Sequence, residues 1–213
     1  MAPKQTTQRP FLVRFYDPSI AAADAKGRTL TSILAWDDQM LEDCHDYIQF
    51  LFPLPEVSAY NWSAPSIDKA TFEAFQSRPE LRASLRDSLV RILRFYGLLL
   101  TDKYGKLEVL SGRNFSPAYK RWVKHFDHNH LRITRIIRSL RILGLEEEAE
   151  AFFAALSDVD TQQYPGRIGS RSMTFWTRAA KRPLYLAPED DQDEGHGADF
   201  LYEYEKGRGD MRN

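Results

Sequence analysis

The stretch that decides the fold reads HNHLRITRIIRSLRILGL, residues 128–145. Its aliphatic side chains recur every three or four residues, which is the period of an amphipathic helix. The residues that share this face are Ile133, Ile136, Ile137, Leu140 and Leu143. Gly144 follows, and glycine readily adopts the left-handed conformation with which many helices end. The stretch therefore predicts one long helix that packs an aliphatic face into a core.

Arginines occupy the rest of this predicted helix, at positions 132, 135, 138 and 141. Such a row indicates either a phosphate or carboxylate site or a solvated face that pairs with acids. We expect Arg138 and Arg141 to be solvated, because basic faces are common on amphipathic helices. Arg132 lies at the edge of the aliphatic face and is expected to point inward, where Asp46 or Asp127 would neutralise it.

Helical patterns flank this stretch on both sides. One begins at Asp37, a good capping residue, and continues to Leu51. Other starts are predicted at Ser66, at the capping box of residues 77–80, at Ser116, at Glu146 and at Ser172. The run 11–16 is interpreted as a strand or an extended arm, and 98–110 as a small β-hairpin.

Together, these predicted elements indicate an all-α, mostly helical fold. We expect a single compact multi-helix domain over residues 11–187 and an acidic C-terminal tail over 188–213. The chain has 213 residues, of which 43% are hydrophobic, so it can form a substantial core.

Composition excludes several classes of function. Lysine and arginine number 29 against 30 aspartates and glutamates, so no basic excess favours nucleic-acid binding. The longest apolar runs, such as 48–54, are far shorter than the roughly 20 residues of a transmembrane helix. The start, MAPKQTTQRP, lacks the apolar run of a secretory signal, and Cys44 is the sole cysteine. These features predict a soluble, cytoplasmic protein.

Histidines cluster in HFDHNH, residues 125–130, and His45 precedes Asp46. Imidazole and carboxylate could bind zinc or iron, but His128 and His130 would lie about 200° apart around a helix. We therefore expect no metal site. Cys44 is interpreted as a buried thiol, and no phosphate-loop or dinucleotide motif is present, so no cofactor is expected.

Two long blocks of sequence and two short ones resemble the opioid growth factor receptor conserved domain. The first block runs from Trp36 and Leu41 to Leu54 and contains HDYIQFLFPL, and the second is NHLRITRI, residues 129–136. NWSAP at 61–65 and FYG at 95–97 agree in order and spacing. The resemblance covers roughly residues 11–157.

The resemblance implies a helical domain. In the animal receptor this domain is linked to binding an endogenous opioid peptide and to a growth-inhibiting role at the nuclear envelope. The chain resembles the stand-alone versions found in microbes, without the repeat-bearing extension and basic import signals of the animal protein. The family supplies no catalytic residues, so the site below is inferred from the residues themselves.

The shared blocks mix polar side chains with aromatic ones. If the first block, residues 45–54, faces the second, residues 129–136, the two would line a pocket for a small or peptide-like organic ligand. The predicted ligand-binding residues are Trp36, His45, Asp46, Gln49, Asn61, Trp62, Asn129, His130 and Arg132. The alternative is a satisfied polar network that only fixes helix register.

Two further functions remain open at this point. A cofactor-independent enzyme, such as a cyclase, an isomerase or a pericyclic-type catalyst, could use His45, Tyr47 or His130 on an apolar small molecule. A protein-interaction domain would instead use exposed Phe50, Trp62 or the acidic tail. The sequence does not specify the ligand, a reaction or the oligomeric state.

Overall fold

A computed structural model describes residues 9–58, 61, 63–191 and 197–210, and these are mostly helical, as the sequence predicts. The helices are α1 (Phe11–Tyr16), α2 (Leu30–Leu34), α3 (Asp38–Asp43), α4 (Ile48–Leu51), α5 (Lys69–Ser77), α6 (Pro79–Phe95), α7 (Phe115–Ala118), α8 (His128–Ile142), α9 (Glu146–Asp158), α10 (Ser170–Lys181) and α11 (Asp199–Asp210). The strands are β1 (Leu98–Lys103) and β2 (Lys106–Ser111).

Helix α8 is the predicted long helix, and it lies at the centre of the fold. Asp127 caps it by accepting from the Asn129 backbone N–H at 2.8 Å. Gly144 follows its end with a φ of 86°, the left-handed conformation expected there. The aliphatic face of α8 is completely buried, and both α9 and α10 pack on this helix.

The arginine row of α8 is covered as well, so the prediction of a solvated face is wrong. Arg138 is only 2% exposed, and it donates to the Leu186 carbonyl oxygen at 2.7 Å. Arg141 donates to the carbonyl oxygens of Ala179 at 2.8 Å and Arg182 at 2.9 Å, where α10 ends. The guanidinium groups of this row thus donate to backbone carbonyls of neighbouring segments and are not solvated by water alone.

The predicted helix from Asp37 to Leu51 is interrupted. Asp37 does cap a helix, because its side chain accepts from the Met40 N–H at 2.8 Å. However, α3 ends at Asp43, and Cys44 is extended, with φ −88° and ψ 125°. Cys44 is therefore partly exposed rather than centred on a buried stripe. Continuous periodicity does not reveal this break, since its cause is a long-range contact with α8.

Three helix starts differ from the sequence prediction. Residues 11–16 form α1 instead of a strand or arm, because a run of six mostly apolar residues is too short to show its period. Asp68, not Ser66, caps α5. The capping box at 77–80 does not form, since the Ser77 hydroxyl donates backward to the Glu73 carbonyl oxygen within α5.

The hairpin near 98–110 is confirmed. Strands β1 and β2 pair antiparallel, with Leu98 opposite Ser111 and Lys103 opposite Lys106. The helix predicted from Ser116 to about 126 is shorter, because α7 continues only as a 3-10 turn over Tyr119–Arg121.

Residues assigned to the acidic tail include a helix that the sequence analysis missed. Helix α11 buries Leu201 completely and packs Phe200 against Phe72 of α5, with ring centres 5.4 Å apart. Arg208 pairs with Glu146 at 2.7 Å. Residues 192–196 and 211–213 of the predicted tail lie outside the described residues, and the boundary at 187 stays a prediction. None of the helices in the described part of the chain combines the length and apolar character needed to cross a membrane.

Candidate functional site

Arg132 joins the two sequence blocks that carry the predicted site. Its side chain leaves α8 and reaches the end of α3, where it is 5% exposed. The guanidinium donates to the carbonyl oxygens of Leu41 at 3.1 Å, Glu42 at 3.3 Å and Cys44 at 3.1 Å. The last turn of a helix leaves such carbonyls without an intrahelical partner. The two blocks therefore lie against each other, as the sequence analysis expected.

The rest of the Arg132 guanidinium is satisfied within the same cluster. It donates to Asn129 Oδ1 at 3.2 Å and to His45 Nδ1 at 3.0 Å, and it lies 5.6 Å from the centre of the Tyr47 ring. Asn129 is fully buried and also accepts from the Tyr96 hydroxyl at 3.4 Å. Hydrogen bonds from a charged donor are the stronger ones, so this cluster fixes the register of the blocks.

Asp46 belongs to a separate ion pair, so the predicted pairing of Arg132 with Asp46 or Asp127 is wrong. Arg28 donates to both carboxylate oxygens of Asp46, at 2.8 and 3.3 Å. Partial burial opposes the charge, but hydrogen bonds from Arg28 and Lys26 hold the pKa of the Asp46 carboxyl below its usual range. Among the described residues Arg132 forms no ion pair, and neutral acceptors surround it instead.

Two aromatic residues of the predicted site stand behind this cluster. Tyr47 is 1% exposed, and burial raises the pKa of its hydroxyl to about 12. Half-buried Trp36 packs edge-on against it, with ring centres 5.7 Å apart. The Arg28 guanidinium lies 5.8 Å from the centre of the Trp36 ring. Trp36 thus packs on the side of Arg28, and Tyr47 on the side of Arg132.

His130 is buried with both ring nitrogens engaged. Its Nε2 lies 2.7 Å from the Trp122 carbonyl oxygen, which can only accept, so Nε2 carries the proton. Its Nδ1 then accepts from the Ser172 hydroxyl at 2.7 Å. The ring also packs edge-on against Trp176 at 5.3 Å. His130 therefore ties α8 to the start of α10 and has no nitrogen left for a substrate.

The burial of His130 makes stability depend on pH. Burial lowers the pKa of this imidazole below its ordinary value of 6.5. As the pH falls below about 6.5 the unfolded chain takes up this proton before the folded protein does, so the free energy of unfolding decreases. We expect His130→Gln to remove part of the stability loss between about pH 7 and pH 5. Urea titrations across this range measure it, and equal pH slopes for both proteins would contradict the prediction.

An open cleft of about 520 Å³ lies beside the Arg132 cluster. This volume falls within the range of small-molecule sites, roughly 300–1,000 Å³. The cleft runs between the two blocks, and Pro188 and Glu189 form its third side. Its apolar wall consists largely of Ile48, Leu54, Val57 and Leu131. Its polar wall comprises His45, Gln49, Glu56, Ser58, His128, Arg132, Thr134, Arg135 and Arg138.

Three of the predicted ligand-binding residues border this cleft, namely His45, Gln49 and Arg132. Asn61 lies one contact away, since its Nδ2 donates to Gln49 Oε1 at 2.7 Å. Trp62 lies outside the described residues. The residues that the structure places behind the cleft instead of along it are Trp36, Asp46, Tyr47, Asn129 and His130.

The sequence analysis missed several residues of the cleft wall, above all Arg135 and Arg138. Arg138 donates to the Leu186 carbonyl oxygen and also forms a short ion pair with Glu56, so it connects the C-terminal side of the cleft to the first-block side. The spacing of the arginine row was the available signal. The expectation that Arg138 is solvated left it out of the predicted site, and the row gave no separate expectation for Arg135.

Two of the other depressions have a different character. Cavities of about 410 and 560 Å³ lie near the end of α11, and charged residues form much of their walls, including the Arg208–Glu146 pair. Cations and acids stand side by side in both walls, and few apolar side chains accompany them. Within the described residues, no three His, Cys, Asp or Glu side chains converge as a metal site.

The fold and the cleft define a class: a helical domain in which buried arginines of one helix bind the backbone of the segments around it. A family model described as "Opioid growth factor receptor (OGFr) conserved region" matches residues 6–180. The chain belongs to this family, as the two blocks predicted.

Individual relatives agree with this assignment. The chain is 43% identical to the rat opioid growth factor receptor over 113 residues, and 40% identical to the human one over the same length; the matches cover 52% of this chain and 19% and 16% of the relatives. The mouse opioid growth factor receptor-like protein 1 is 36% identical over 110 residues, 23% of its length. The chain thus spans about a fifth of the curated relatives that it matches. No solved structure matches it.

Proposed function

We propose that this domain binds a small or peptide-like organic ligand in the cleft between the two blocks. The observation that carries the proposal is the cleft itself: about 520 Å³ with a largely apolar wall and a few polar groups beside it. Ligand sites in proteins share this composition. The name of the relatives, receptor, is consistent with binding rather than turnover.

Hydrogen bonds and an ion pair within the protein hold the walls of the cleft in place without a ligand. Arg132 fixes the first block to α8, and Arg138 connects Glu56 to the chain at Leu186. A preorganised site loses less conformational entropy when it binds, so more of the contact energy remains as affinity. The polar network and the pocket are therefore compatible, because the first supports the second.

The enzyme alternative depends on one residue. Of the three candidates for catalysis, His45 alone borders the cleft, while Tyr47 and His130 are buried away from it. A cyclase, isomerase or pericyclic-type reaction with His45 as its proton-transfer group stays a hypothesis. It would show as conversion of a bound compound that His45→Ala abolishes.

One residue proposed for the protein-interaction alternative does not lie on the surface. Phe50 is 6% exposed, so the expectation that it lies on the surface is wrong. Val57 and Leu131 are exposed at 72% and 67%, but both belong to the cleft wall. Their exposure fits the rim of a ligand site.

Methyl NMR tests the proposal directly. With the isoleucine, leucine and valine methyl groups labelled, a fragment library of neutral and charged compounds is titrated into the protein. Binding in the cleft is expected to shift the signals of Ile48, Leu54, Val57 and Leu131. Val90, which is 46% exposed on α6, serves as the control signal and should not move.

A variant that fills the cleft gives the matched control. Leu131→Trp adds bulk at an exposed wall position, so it should weaken the cleft hits at least fivefold with little effect on the melting temperature. A library without a single cleft hit would contradict the proposal. So would hits that shift Val90 equally or that Leu131→Trp leaves unchanged.

A further inference from the structure

Arg135 differs from the other arginines of the cleft in what it binds. Its Nη1 donates to the Phe52 carbonyl oxygen at 3.2 Å, which is its one hydrogen bond among the described residues. A guanidinium carries five N–H donors, so most of those of Arg135 remain without an acceptor there. The side chain is half-buried and lines the cleft.

The neighbours in the row bind more acceptors than Arg135 does, although the buried Nε of Arg138 also has no partner. Arg132 makes five hydrogen bonds to carbonyls, Asn129 and His45, and Arg138 binds Leu186 and Glu56. Arg135 forms no ion pair with any described residue. Burial lowers the pKa of the Arg135 guanidinium and outweighs Glu56 and Glu189, which favour its charge from a distance.

The charge of the cleft wall indicates which anion fits. Three arginines, 132, 135 and 138, line it together with two acids, Glu56 and Glu189. These five groups alone leave one positive charge in excess. A monoanion neutralises it, whereas a phosphate dianion would leave an excess of negative charge beside Glu56 and Glu189. The planar fork of a guanidinium also matches a carboxylate with two parallel hydrogen bonds.

We propose that the ligand of this cleft is a carboxylic acid with an apolar body, and that Arg135 binds its carboxylate. This inference rests on the proposed function, since it names the chemical class of the ligand for the same cleft. The apolar body would lie along Ile48, Leu54, Val57 and Leu131. A free aliphatic or aromatic acid and the C-terminus of an apolar peptide share this chemistry.

Matched pairs of acids and amides test the inference. The compounds are octanoate and octanamide, 4-phenylbutanoate and its amide, and acetyl-Leu-Leu-Phe with a free or an amidated C-terminus. Each is titrated while the cleft methyl groups and the Arg135 Nε–H signal are observed. We expect at least one acid to bind ten or more times tighter than its amide and to shift the Arg135 signal. Whether that acid is one of the small compounds or the peptide shows which of the two kinds of ligand the cleft prefers.

Substitutions assign the preference to one side chain. Arg135→Gln keeps a donor for Phe52 but removes the charge, so it should weaken acid binding at least tenfold and change amide binding less than twofold. Arg113→Gln makes the same charge change on exposed Arg113 and should have no effect. Leu131→Glu, at an exposed wall position, should also weaken acid binding, because it introduces a competing carboxylate.

The outcomes separate this inference from the proposed function. If cleft ligands are found but no acid is preferred to its amide, or if Arg135→Gln binds acids as the wild type does, the carboxylate inference is overturned and ligand binding stands. If neither these pairs nor the fragment library shifts the cleft methyl groups, both proposals fall.

Discussion

Replacing Arg132 by methionine is expected to lower the free energy of unfolding by about 4 kcal/mol, because a buried charged donor is lost from several acceptors at once. The carbonyls of Leu41, Glu42 and Cys44 would lose this donor, the first of them in a buried setting. Methionine fills similar space, so the loss reports hydrogen bonding more than packing. For a chain of this size the melting temperature should fall by about 10 °C. Calorimetry and urea titration measure both quantities.

Two controls define what this result means. Arg113→Met makes the same change at an exposed position and should alter stability by no more than about 0.5 kcal/mol. Arg132→Lys keeps the charge but not the forked donors, so it should lie between the wild type and Arg132→Met. If Arg132→Met melts within about 2 °C of the wild type, corresponding to about 1 kcal/mol or less, the cluster does not hold the two blocks together.

Replacing Gly97 by alanine is expected to destabilise the protein by about 3 kcal/mol or more. Gly97 has a φ of +81°, which costs a residue with a side chain roughly 1–2 kcal/mol. An added Cβ would also lie 2.7 Å from Phe115 Cα and 2.8 Å from Ala118 Cβ. The first of these is a backbone atom, so the hairpin and α7 must move apart. Urea titration measures the change.

Gly105 provides a matched control in the turn of the same hairpin. Its φ is +79°, but nothing lies within 4 Å of the position of an added Cβ. Gly105→Ala should therefore cost only the backbone term, about 1 kcal/mol. Equal stability of the two alanine variants would contradict a contribution of close packing at Gly97. The positive φ alone would then explain both glycines.

The arginine row explains why this domain can hold short helices in place. Arg132 binds the end of α3, Arg135 the end of α4, and Arg141 the end of α10. Helix C-termini carry unpaired carbonyls and the negative end of the helix dipole, so a cation is favoured there. Each arginine thus holds one segment against α8, and Arg135 does so with donors to spare. The unused donors of Arg135 are the groups that we propose bind the ligand.

The sequence by itself determined the features that depend on local geometry. The period of the aliphatic residues from Ile133 to Leu143 defined the central helix, and Asp37 and Gly144 marked helix ends, because capping and left-handed turns involve neighbours in the chain. The order and spacing of the blocks indicated the family and predicted a site between them. It also predicted the hairpin.

Only the tertiary structure decided which polar residues face the cleft. Periodicity reports which face of a helix is apolar, but it does not report what covers the opposite face. An arginine can be buried wherever backbone carbonyls from distant segments accept its donors. Leu186 lies 48 positions from Arg138 in the chain, and Leu41 lies 91 positions from Arg132. Asn129 and His130 are buried behind the cleft, and Asp46 pairs with Arg28 and Lys26 beside it. Arg138 was expected to be solvated and instead lines the cleft together with Arg135.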